Sequence, residues 1–171
     1  SATVPADDLL SNEIRKAAAT HLEEMEKTAV PFFTLRGVKF GGSSRIKVIH
    51  EIMDAHRHPA LRDAVLAASG QGADVVDLGF GFDATPDDVR RCFEEVADLD
   101  IPLSVDTIDP ALITAALFRC DLIFSITAET LPGLAEQVRN SGAAAVLIPC
   151  ETSLADTFAA AQNMGLSRIL A

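Results

Sequence analysis

Carboxylates recur at regular places along this chain. Glu51 and Asp54, Asp77, Asp106 and Glu151 each stand in or just after a short apolar run. A carboxylate at the end of such a run can accept hydrogen bonds from paired N–H groups, as in a guanidine or an aminopyrimidine. It can also hold a hard cation or take up a proton. Asp106 closes the run over residues 101–106 and stands apart from Asp109-Pro110, which reads as a helix cap. It is the leading ligand-binding acid. His50 and Glu51 are neighbours and so face opposite sides of a strand. Glu51 shares its side with Met53 and is preferred as the site residue. Asp54 follows it, and Ser125 stands at the end of a further apolar run. Asp77 lies inside its run, where structural pairing or loop support suits it. Asp83 and Asp87 read as helix-capping or merely solvated rim acids.

Other reactive side chains carry weaker signals. His56, Arg57 and His58 can form a small anion or metal patch, though an exposed loop is the simpler expectation. Cys92, Cys120 and Cys150 are far apart with no CxxC pair. They read as buried thiols in a reducing cytoplasm, not as a disulfide framework or a zinc site. Cys150 stands at the end of an apolar run, but no particular histidine is tied to it as a base. An anionic substrate would call on Arg36, Lys39, Arg45, Lys47 or Arg57. No catalytic residue and no set of metal ligands is assigned from the sequence.

These residues need elements to position them. Residues 8–27 read as an amphipathic helix, appended ahead of the main pattern. Residues 31–40 and 45–52 read as two strands of a β-hairpin turning at Gly41-Gly42-Ser43-Ser44. Helices are expected at 59–69, 85–98, 109–119, 131–140 and 153–164, with strands at 73–79, 101–106, 121–126, 143–148 and from 168. Thr85-Pro86 and Asp109-Pro110 open helices, while Gly142 and Gly165 close them. Short apolar strands alternating with helices are the βα rhythm of a parallel sheet, either an open doubly wound sheet or a barrel. In both, ligands sit at the C-terminal ends of the strands. Gly79-Phe80-Gly81 lacks the third glycine of a dinucleotide fingerprint.

Composition narrows the functions. The chain has 171 residues, 49% hydrophobic and 23% charged, enough for one sizeable core and against general disorder. No apolar run approaches a membrane span, and no signal-peptide pattern is seen. The net charge of −11 without a Lys/Arg cluster argues against nucleic acid or an anionic membrane as partner, while leaving room for a local basic pocket. Trp and Tyr are absent.

Gly72-Ala73-Asp74-Val75-Val76-Asp77-Leu78-Gly79, followed by Ile101-Pro102-Leu103-Ser104-Val105-Asp106-Thr107, resembles the second and third strands of the dihydropteroate synthases. Asp109-Pro110, Ala115-Ala116 and Cys120-Asp121-Leu122-Ile123 continue the likeness. Residues 36–41 and 49–52 are similar to a divergent branch of that family associated with tetrahydromethanopterin biosynthesis. The resemblance covers residues 32–171. It implies a (βα)8 TIM barrel, here incomplete at five to six βα units, occupying residues 31–171 behind an N-terminal extension at 1–30. It further implies that Asp106 binds a pterin ring through its N–H edge; Glu51, Asp54 and Ser125, from their places at the strand ends, are expected around the same substrate. The implied reaction joins a hydroxymethyl-dihydropterin diphosphate to an arylamine, with Mg2+ assisting release of diphosphate.

The sequence departs from the family's pattern in places. No Asn stands near residues 52–57, residues 81–86 replace an arginine-bearing loop, and Phe124 stands where the family has an Asn. Two alternatives follow: a pterin-dependent methyltransferase domain, or a divergent barrel without catalysis. The strands are expected to form part of a barrel with Asp106, Glu51 and Ser125 near one rim. Its bare edges would call for self-association or for strands beyond Ala171.

Overall fold

The computed structural model describes residues 6–171, with side chains described from Ser11 onward. Residues 1–7 read from the sequence as polar and loose; of these, 1–5 lie outside the described residues, and a helix already begins at Ala6. The chain divides into two units, Ser1–Ile46 and Lys47–Ala171.

The first unit holds helix α1 (Ala6–Thr28) and strands β1 (Phe33–Leu35) and β2 (Val38–Phe40). The end of α1 leaves carbonyls without intrahelical partners. Lys39 Nζ donates to three carbonyls there, those of Glu26 at 2.7 Å, Lys27 at 3.2 Å and Ala29 at 2.9 Å. The hairpin differs from its expected form. β1 pairs with β2, and the chain reverses at Arg36 (φ 43°) and Gly37 (φ 82°). Two successive positive φ values give the two-residue turn whose twist suits a hairpin. Gly41 and Gly42 turn the chain away from it, and Gly42 packs against the Val30 carbonyl with no room for a Cβ. Ile46 and Val48 are exposed rather than paired in a strand.

The second unit is one parallel sheet with helices on its outside. Its strands and helices are β3 (Ile49–Ile52), α2 (Leu61–Gly70), β4 (Val75–Gly79), α3 (Pro86–Glu95), β5 (Leu103–Asp106), α4 (Pro110–Ala116), β6 (Leu122–Ile126), α5 (Leu131–Ser141), β7 (Ala144–Leu147), α6 (Leu154–Asn163) and β8 (Ile169–Leu170). The strand order is β3-β4-β5-β6-β7-β8, all parallel. A doubly wound sheet reverses its order at a switch point. No reversal occurs here, so the winding is that of a βα barrel. β3 and β8 are not paired to each other, so the sheet is an incomplete barrel of about six βα units.

Alternate strand residues face the helices. Ile52, Val76, Leu78, Leu103, Val105, Ile123, Ala145 and Leu147 join helix residues such as Val65, Phe93, Ile113 and Leu134 in one core. Burying each of the larger aliphatic side chains is worth about 1.5–3 kcal/mol. The other side of β3, β4 and β5 carries Glu51, Asp77 and Ser104, which stand opposite one another in register. The helices start where the sequence indicates. Thr85 accepts from Asp88 N while Asp88 accepts from Thr85 N, a reciprocal capping box, and Asp109 Oδ1 accepts from Ala111 N at 2.8 Å.

α3 and α4 end earlier than expected. The buried guanidinium of Arg119 draws the carbonyls of Ala97, Leu99 and Ile101 toward itself, and both segments leave the helix to reach it. Cys92 and Cys120 are buried as expected, and burial pushes the thiol of Cys92 up to about 11. Cys150 is exposed, contrary to expectation, because it lies beyond the end of β7. Among the described residues, no helix is long and apolar enough to cross a membrane.

Candidate functional site

The rim begins with a row of side chains fixed by strand register. Glu51 on β3 stands beside Asp77 on β4, and Asp77 beside Ser104 on β5. Further up, Gly79 stands beside Asp106. Oxygens of Glu51, Asp77 and Asp106 all lie within 4.8 Å of one another. Asp77 is 5% exposed and accepts from Ser104 Oγ at 2.5 Å. Burial pushes its carboxyl up to about 6, opposed by the Ser104 hydrogen bond and reinforced by the charges of Asp106 and Glu51. Gly79 leaves room for the Glu51 carboxylate: a Cβ on it would stand 2.8 Å from Glu51 Oε1 and push that side chain aside.

β6 brings the hydroxyl that orients Asp106. Between Ile123 and Ile126, β6 runs one residue ahead of its partner β7, and Ser125 takes a left-handed φ of 66° in that bulge. Its Oγ donates to Asp106 Oδ1 at 2.6 Å. A non-glycine residue in this conformation costs about 1 kcal/mol. Ser125→Gly is expected to leave stability nearly unchanged, because relief of that strain offsets the lost hydrogen bond. Ser125→Ala keeps the strain and is expected to lose about 1–2 kcal/mol in urea unfolding. Both variants release the Asp106 carboxylate and should weaken ligand binding together, about three- to tenfold.

Above the row lies a cavity of about 460 Å³. Glu51, Asp54, Asp106 and Ser125, the four substrate-binding residues expected from the sequence, all line it. Asp54 takes a left-handed φ of 49° and lies against Gly81, where a Cβ would stand 3.0 Å from its Oδ1. Met53, Phe82 and Ile108 add apolar walls with exposed side chains. Glu151, which also follows an apolar run, is exposed and not part of the lining. Asp83 caps no helix and is instead an exposed rim acid, the other of its two expected readings; it pairs with Arg57 and lies 3.6 Å from His56 Nε2. His56 is therefore not on an exposed loop: its ring is buried and stacks on Phe80.

Asp77 is the member of the cluster that the sequence reading left outside the site. Its signal was register, since Asp77 and Gly79 share a strand face with Glu51 and Asp106. The donor set is three carboxylates, which suits a hard cation such as Mg2+. A divalent ion would relieve the like charges crowded around Asp77, so the residues fit the group. Glu51, Asp77 and Asp106 are the ones that would hold it.

No protein-family model matches the sequence. An uncharacterized protein of Methanocaldococcus jannaschii is 29% identical over 142 residues, covering 80% of this chain and 26% of that protein. Among solved structures, the dihydropteroate synthase of Xanthomonas albilineans with 4-aminobenzoic acid matches with a TM-score of 0.57 at 25% identity, over 73% of this chain and 58% of that one. The dihydropteroate synthase of Burkholderia cenocepacia complexed with 7,8-dihydropteroate matches with a TM-score of 0.59 at 24% identity, over 77% of this chain and 58% of that one. The fold is thus that of part of a dihydropteroate synthase barrel. The chain spans 58% of the length of each of these synthases and 26% of the archaeal relative.

Proposed function

We propose that this chain forms the pterin-binding side of a dihydropteroate-synthase-like barrel. The observation that carries this reading is the placement of Asp106: at a strand end, oriented by Ser125, on the wall of a cavity with exposed apolar side chains. A pterin presents a flat ring and an edge of adjacent N–H donors. Apolar walls take the ring, and a fixed carboxylate takes the edge through charge-assisted bonds. Glu51 and Asp54 bound the same space.

The finer reading is a transferase reaction in folate or methanopterin biosynthesis, in a cytoplasmic protein. A C–N bond forms between an arylamine and the pterin's methylene carbon while the C–O bond to diphosphate breaks, and the proton lost by the amine nitrogen passes to solvent. Mg2+ travelling with the diphosphate would supply countercharge as it departs. The residues of this chain then hold and orient the pterin. The open strand edges favour completion of the barrel by further strands or a second copy.

The test is a titration of 6-hydroxymethylpterin followed by its own fluorescence anisotropy, in a protein that has neither Trp nor Tyr to interfere. Saturable binding by the wild-type protein should weaken about a hundredfold or more in Asp106→Asn, which loses the charge that strengthens both hydrogen bonds. Equal binding by a folded Asp106→Asn variant would overturn the assignment.

A further inference from the structure

Resting on the pterin reading, we infer that Arg57 and Asp83 form a positioning clasp that sets Phe82 at the cavity as a stacking wall before any ligand arrives. Two loops supply this part of the lining. One follows β3 and carries Met53 and Asp54; the other follows β4 and carries Phe80, Gly81 and Phe82. The first continues into a single 3-10 turn, Ala55–Arg57. The second closes a tight turn, in which Ala84 N donates to the Gly81 carbonyl at 3.1 Å. Arg57 Nη2 donates to Asp83 Oδ2 and so joins one turn to the other. Packing fixes the base of this joint: the buried ring of His56 stacks on Phe80, and Phe80 stacks on Phe93 in the core. Gly81 permits the close approach, because a Cβ there would stand 3.0 Å from Asp54 Oδ1 and 3.2 Å from Asp83 Oδ1.

Phe82 precedes Asp83 in the clasped turn. Its ring is fully exposed, yet it lines the cavity. An exposed aromatic ring contributes nothing to the core, whereas a flat ligand laid against it removes apolar surface of both from water and gains a stacked contact. A wall already held in place also needs no ordering when the ligand arrives. The Arg57–Asp83 pair is itself exposed, and such pairs add little to the stability of a fold. Its effect falls on the position of Phe82.

The experiment has a ligand-free arm and a binding arm. The chain contains no Trp, so Phe82→Trp places a single reporter on the turn. In the ligand-free protein its fluorescence anisotropy should fall when Arg57→Ala is added and stay high with Arg57→Lys, which keeps the cation. High salt should lower it as well, except where Arg57→Ala has already removed the pair. In the binding arm, with Phe82 native elsewhere, 6-hydroxymethylpterin should bind about tenfold more weakly to Phe82→Ala and about threefold more weakly to Arg57→Ala. Arg57→Lys should bind nearly as the wild type does, and the urea midpoints of all these proteins should agree. An anisotropy indifferent to Arg57→Ala, or a fall in urea midpoint that accounts for the lost affinity, would overturn the clasp. Full affinity in Phe82→Ala, beside a loss in Asp106→Asn, would overturn the stacking wall while leaving the pterin reading intact. If the folded wild-type protein binds no pterin, the pterin reading fails and the role of Phe82 with it.

Discussion

Arg119→Ala should lower the stability of the chain by about 3–5 kcal/mol, the largest loss expected of any single change here. The side chain is almost fully buried, and four of its five N–H donors meet acceptors. Nε donates to the Ala97 carbonyl at 3.0 Å, and Nη2 to those of Leu99 at 2.7 Å and Ile101 at 2.9 Å. Nη1 donates to Asp121 Oδ2 at 2.7 Å, the oxygen that also accepts from Leu103 N at 3.1 Å. Truncation strands three loop carbonyls and removes the cation that balances a largely buried carboxylate. It also loosens the entry to β5, the strand that carries Asp106. In a chain of this length the midpoint of thermal unfolding should fall by about 10 °C or more. Arg119→Lys should recover only part of the loss, because an ammonium cannot span the fork of acceptors that a planar guanidinium reaches. A loss below about 1 kcal/mol in urea unfolding would show that water replaces the guanidinium without penalty.

Asp77→Asn should act in the opposite direction. In the folded protein the Asp77 carboxyl is pushed up to about 6, whereas its ordinary value is 3.8. Between those values the folded state holds a proton that the unfolded chain releases. The folded state therefore gains from low pH, and that gain is lost as pH rises through about 6. Above that pH, a buried charge among like charges destabilises the fold by about 3 kcal/mol. The amide that replaces it still accepts from Ser104 and carries no charge. The variant should be about 2–3 kcal/mol more stable than wild type at pH 7.5, and the difference should vanish near pH 4. The same change should reduce Mg2+ binding by the cluster, the stability–function trade expected of a crowded site. Unfolding curves of the two proteins at several pH values measure this. A constant difference across pH would refute a charged Asp77 as the source of the strain.

Much of this fold is legible in the sequence, for local reasons. The strands of the sheet are short apolar runs, and Thr85-Pro86 and Gly142 carry their capping chemistry in their residue types. The hairpin is not legible in the same way. Gly41-Gly42 is the stronger turn signal, yet the reversal falls at Arg36-Gly37, because an arginine can be held at positive φ when strand pairing on both sides demands it. The apparent alternation of Ile46 and Val48 has no partner strand to use it. Among the site residues, Asp106, Glu51, Asp54 and Ser125 are readable from strand ends. Asp77 is not, because its place in the cluster depends on register between three strands. The left-handed Ser125 is hidden as well, since the bulge that turns it onto Asp106 arises only when β6 pairs with β7. Arg119 gives no sequence signal at all. Three of its four acceptors are backbone carbonyls, which every residue has.

If the strand-end carboxylates form a pterin site, a bound ring must lie against them. A crystal structure of the protein with 6-hydroxymethylpterin should place the ring in the cavity bounded by Met53, Phe82 and Ile108, with its N–H edge within hydrogen-bonding distance of Asp106. A ring bound elsewhere on the molecule, or held in that cavity with its N–H edge turned away from Asp106, would contradict it.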